Sequence, residues 1–142
     1  VGASPSGLIQ LDAYFPHIEL PWFVNLTTIL VAGQGAPWYT ARRNYRVLSG
    51  TETHSVAGTN GSAVTLTLVK AAAATAFASG TNVLTTTFNL KSTADTPVWV
   101  GPSTTAATAR LATGDRLGCI FTGTLTALVD TAVTVQLVAL ER

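Results

Sequence analysis

The chain has 142 residues, of which only 11% are charged, with two histidines, one cysteine, no methionine and a formal net charge of +1. So few reactive side chains leave little from which to build an active site, and no catalytic residue and no metal ligand set is expected. The thin, nearly balanced charge is also a poor footprint for nucleic acid, which calls for a basic face that neutralises several phosphates.

The length is near the commonest size of one domain, and folding at this size buries roughly two-thirds of the surface an unfolded chain exposes. A hydrophobic fraction of 47% and low net charge argue for a packed chain, not a disordered one. The lone Cys119 excludes an internal disulfide, so a reducing compartment is permitted and synthesis in the cytoplasm is expected. No apolar run approaches the roughly 18 residues of a membrane span. The opening VGASPSG lacks the pattern of a signal peptide, so no membrane partner is expected.

Residues 1–40 hold Pro5, Pro16, Pro21 and Pro37 together with Tyr14, Phe15, Trp22, Phe23, Trp38 and Tyr39. Prolines at this density break up helix and central strand alike. The reading is an extended N-terminal arm over 1–40 with one short strand around Asn25 to Val31. Large aromatics on such an arm are anchors, into the chain's own core or into a partner, which singles out Phe15, Trp22, Phe23 and Trp38 as partner-binding residues. Arg42, Arg43 and Arg46 form the basic cluster that follows. Guanidinium groups pair well with carboxylates, so these three read as a solvated strand face or a subunit interface.

From about Tyr45 the pattern becomes short alternating runs separated by turn residues, as in an all-β sandwich or barrel. Val64, Leu66 and Leu68 alternate with Thr65 and Thr67. Leu84, Phe88 and Leu90 alternate with Thr85, Thr87 and Asn89, and Leu117, Cys119 and Phe121 with Arg116, Gly118 and Thr122. Each run presents one apolar face, as a half-buried strand does. The segment Ala71–Ala78 is rich in alanine but too short for a stable helix, and reads as a loop or one helical turn. Ser103 to Ala109 is a second small-residue link, leading into the turn Thr113-Gly114-Asp115. In the last run Val133, Val135, Leu137 and Ala139 share one side. The other side turns apolar at Val138 and Leu140, two further candidates for a subunit interface.

Residues that could carry chemistry are isolated. His17 and His54 lie far apart, and no nucleophile motif accompanies either, so both read as surface or hydrogen-bonded histidines. Cys119 shares a face with Leu117 and Phe121 and reads as a small buried hydrophobe. Asp115 and Asp130 read as turn formers, and the glycines punctuate strands without forming a phosphate-binding loop. Few charges also means few gatekeepers on edge strands, and assembly with other subunits is the expected protection.

The stretch from TARRNYRVLSGTETHSVAGTNGSAVTLTLVK through FASGTNVLTTTFNLKSTADTPVWVG to LATGDRLGCIFTGTLTALVDTAVTVQLVALER resembles small β-sandwich virion proteins of tailed bacteriophages. What carries the resemblance is an ordered recurrence of strands and turns over roughly residues 40–142. It comprises a Thr/Leu strand ending in Lys, a GT-x-x-L-x-x-T-x-x-L run, and L-x-x-GDRL followed by TGT. The resemblance implies a jelly-roll-like antiparallel β-sandwich over 41–142, with no enzymatic activity and no cofactor. It further implies a capsid decoration or cement protein, homotrimeric, bound to the phage major capsid protein on the outer surface of the virion. The arm would then lie across the major capsid protein or a neighbouring subunit. Tail-fibre and receptor-binding tips share the architecture, so a tip domain recognising host surface glycan through Trp38, Tyr39 or Trp99 stands as the alternative.

Overall fold

The computed structural model describes residues 17–24, 35–59 and 61–140. These residues form ten strands: β1 His17–Val24, β2 Gly35–Thr40, β3 Tyr45–Thr53, β4 Thr65–Ala71, β5 Thr81–Asn82, β6 Phe88–Asn89, β7 Val98–Val100, β8 Arg110–Leu111, β9 Arg116–Thr122 and β10 Thr131–Ala139. A single 3₁₀ turn at Phe77–Ser79 interrupts them, matching the one helical turn read in the alanine-rich link.

One sheet runs β1-β10-β3-β7 with β8 also on β3, and the other runs β2-β9-β4-β5 with β6 also on β4. Every pairing is antiparallel. From β1 to β4 each strand lies in the opposite sheet from the one before, and β8, β9 and β10 alternate in the same way. This double winding is the jelly roll, a two-sheet antiparallel sandwich, and the all-β expectation holds.

The alternations read from the sequence are what fills the space between the sheets. Val64, Leu66, Leu68, Leu117, Cys119, Phe121, Val133, Val135, Leu137 and Ala139 are all at most 1% exposed. Burying a large aliphatic or aromatic side chain contributes about 1.5–3 kcal/mol, so these rows account for much of the drive to close the sandwich.

Two expectations change. Leu84, Phe88 and Leu90 are buried as read, but they do not lie on one strand. The side chain of Asn82 accepts a hydrogen bond from the Leu84 amide at 3.0 Å, in place of a ladder partner. The chain then bridges Leu84 to Pro102, bends at Thr85 and Thr86, and rejoins β4 only at Phe88.

The second change concerns the first 40 residues. Residues 17–24 and 35–40 are extended, but as strands of the sandwich and not as an arm that leaves it: β1 pairs along its whole length with β10 and β2 with β9. Both are edge strands, where a proline's missing N–H costs no ladder bond if it faces outward. That is why Pro21 and Pro37 are tolerated, the latter beside a register shift between Pro37 and Tyr39. The strand expected around Asn25 to Val31 and the anchor Phe15 lie outside the described residues.

Candidate functional site

Strand β3 carries a bulge that decides what faces the core. Its register with β10 shifts between Gln136 and Leu137, so that Val47 stands opposite Leu137 but Ser49 opposite Gln136. An extra residue reverses the alternation beyond it. Glu52, which simple alternation from Val47 would put on the outer face, instead stands opposite the inward-facing Val133. Its carboxyl is fully buried, as is His54.

His54 Nδ1 lies 2.9 Å from Glu52 Oε1, and Nε2 lies 3.2 Å from the carbonyl oxygen of Ser92. A carbonyl only accepts, so Nε2 carries hydrogen and donates. One further proton is shared between Nδ1 and Oε1. Burial pushes the Glu52 carboxyl above its ordinary range, while the hydrogen bond and charge of His54 pull it back. Three buried oxygens nearby in sequence or register, Glu52 Oε2, Ser92 Oγ and Thr131 Oγ1, have no hydrogen-bond partner. Each such group costs about 1–3 kcal/mol.

This is not a catalytic triad. The atom facing Nε2 is a backbone acceptor and not a hydroxyl, and both side chains are closed off from any substrate. Hydrogen bonding of His54 is as read from the sequence, but a surface position is not. His17 and His54 are not brought together: His17 pairs with Val138 beside the start of β3, and His54 follows its end. The Cys119 thiol is pushed well up by burial, with the Glu52 charge adding to the effect. Among the described residues no three of His, Cys, Asp and Glu gather into a metal-ligating group.

The charged groups are distributed unevenly. Arg42, Arg43 and Arg46 are exposed and lie where β3 begins. Arg46 stands opposite Val138 on one side and opposite Arg110 of β8 on the other. The amide of Leu140 donates to Asn44 O at 2.9 Å. The five residues grouped from sequence as a possible interface, Arg42, Arg43, Arg46, Val138 and Leu140, thus fall at one end of the sandwich, the last two half-buried.

Sequence reasoning missed Arg110, Lys70 and Arg116, which the register brings to the same end. Two of these serve the fold. Lys70 Nζ donates to Ala107 O at 2.7 Å and to Arg110 O, and burial lowers its pKa against the opposing effect of Asp115. The Arg116 guanidinium donates to Ala72 O at 3.2 Å and to Thr75 O, 5.8 Å from the centroid of the Phe77 ring. Asp115 ends the turn at Gly114 by accepting from the Ala112 amide at 2.8 Å. A cleft of about 290 Å³ lies here, lined by Asn44, Lys70, Arg110 and Asp115 among others. Arg42, Arg43, Arg46 and Arg110 form no salt bridge among the described residues. The far end, where β3 finishes and β10 begins, carries the exposed Asp95 and Asp130, both at positive φ.

Of the aromatic candidates, Trp38 and Tyr39 are half-buried and pack against the sandwich's own core. The Tyr39 and Tyr45 rings meet edge to face at 6.1 Å. Trp22 and Phe23 stand opposite Val133 and Ala132 in the register. Trp99, on the edge strand β7, is 65% exposed.

No family model and no curated protein matches the chain. Among solved structures it is similar to a chain of the cyanophage Pam1 capsid asymmetric unit, with a TM-score of 0.52 and 12% identity, over 89% of this chain and 86% of that one. At that identity the likeness is one of fold.

Proposed function

We propose that this chain is a non-enzymatic structural protein of a bacteriophage virion, a capsid decoration or cement protein. In this reading it sits as a homotrimer on the outer surface of the head and binds the major capsid protein. The observation that supports it is the jelly-roll likeness to a phage capsid chain over nearly the whole length of both. Consistent with a role in contact is that the one histidine–carboxylate pair among the described residues is sealed inside the sandwich. A protein that binds only the assembled shell stabilises that shell by mass action.

The contact would be made by the basic end and by the N-terminal segment that holds Phe15, with Trp22, Phe23 and Trp38 tied to the sandwich through β1 and β2. Deletion of residues 1–16 is therefore the clean test, because residues 17–24 belong to a sheet. Heads of the encoding phage stripped of this protein should take it up saturably on co-sedimentation and gain thermal stability. Light scattering should give the mass of a trimer. Saturable binding to isolated tails with none to heads would overturn the head assignment.

The exposed Trp99 favours one second reading, a tail-fibre or receptor-binding tip that stacks a host glycan on the indole. A glycan array with the chain and its Trp99→Ala form separates the two.

A further inference from the structure

We propose that the basic end of the sandwich, centred on the facing pair Arg46 and Arg110 with Arg42 and Arg43 beside it, is a docking surface for a carboxylate-rich face of another protein. The partner's place on a phage head rests on the virion reading; the binding chemistry does not.

The pair itself is the first argument. Arg46 and Arg110 stand directly opposite each other on antiparallel strands, where like charges repel. No carboxylate among the described residues lies within salt-bridge distance of either. A counter-charge from outside relieves the repulsion.

The neighbouring cations supply the second. Lys70 and Arg116 are given over to backbone carbonyls of adjacent loops, and Asp115 is tied to its own turn. Among the described residues, the charge this end offers to solvent is therefore mainly guanidinium, gathered from residues 42, 43, 46 and 110, which only the register brings together.

The third argument selects the partner. Guanidinium forks pair bidentately with carboxylates and with phosphates alike. Binding along a phosphate backbone, however, draws on a strongly basic domain and on aromatic rings that stack bases. Here the whole chain carries only +1, and of the tyrosines at this end Tyr45 is buried and Tyr39 half-buried against the core. Arginine without accessible lysine is the composition of protein interfaces, where Arg is enriched and Lys depleted.

The test uses the whole chain, a fluorescent polyglutamate peptide and a DNA duplex of matched charge, followed by anisotropy at low ionic strength. Polyglutamate should bind more tightly than the duplex. Arg46→Ala with Arg110→Ala should weaken peptide binding about tenfold, the loss expected of two partly exposed ion pairs. Arg46→Lys with Arg110→Lys should lose less, and Lys91→Ala at the far end should change little. Circular dichroism checks that each variant is folded. The proposal is overturned if the peptide does not bind, if the double alanine variant binds it unchanged, or if the duplex binds more tightly. Salt-sensitive self-association abolished by Asp95→Asn with Asp130→Asn would also overturn it, by assigning the surface to a second copy. No head is present in this assay, so its failure and a failure of the virion reading are separate results.

Discussion

His54 Nδ1 and Glu52 Oε1 lie 2.9 Å apart, with neither side chain exposed to solvent. They share a proton inside a sandwich whose buried side chains are mostly aliphatic and aromatic.

A pH dependence follows with a definite sign. Burial raises the Glu52 carboxyl above its ordinary 4.5, so over that interval the folded chain holds a proton that the unfolded chain has released. The Glu52 contribution to stability is full below the ordinary value and is lost as pH rises through the raised one. Its slope is at most about 1.4 kcal/mol per pH unit. Urea unfolding of the chain and of Glu52→Gln across mildly acidic to neutral pH should show the difference between them narrowing or reversing as pH rises; parallel curves would sink the assignment.

Gly123 has φ +92°, and a Cβ placed there would come 2.2 Å from Ala63 O. Backbone cannot give way as a side chain can. Gly123→Ala should cost more than the ~1 kcal/mol of a left-handed alanine alone, measured as a drop in the denaturation midpoint.

Phe121 is fully buried and Trp99 is not. Phe121→Ala should destabilise by about 3–5 kcal/mol through lost burial and a residual cavity, whereas Trp99→Ala should stay within about 0.5 kcal/mol. A large effect of Trp99→Ala on stability would mean that its indole is covered.

Cys119 is fully buried with its thiol pushed up, and the thiolate is the reactive form. A thiol-specific chromogenic reagent should therefore label it at the rate of unfolding and no faster. Rapid stoichiometric labelling under native conditions would contradict its position.

The sequence made the core rows legible because Val64, Leu66 and Leu68, and likewise Leu117, Cys119 and Phe121, alternate without interruption. It hid β1 and β2 behind Pro21 and Pro37, since the rule that excludes proline from strands applies to central ones and these are edges. It hid the burial of Glu52 because a bulge between the partners of Gln136 and Leu137 reverses the face, and a bulge leaves no mark in the alternation of β3 itself. Asn82 broke the run before Phe88 by a side-chain hydrogen bond that composition does not announce. Arg110 could not be joined to Arg46 by any local pattern, because only strand pairing makes them neighbours.

The place of β10 between β1 and β3 sets a kinetic condition. Residues 131–139 lie far along the chain from residues 17–24, and among the described residues β10 is the strand that pairs with β1. Loop-closure entropy must be met before such distant pairing is rewarded, which slows folding in proteins dominated by non-local contacts. β1 therefore cannot take its place until β10 is there to divide it from β3, so that sheet closes by a late, non-local step.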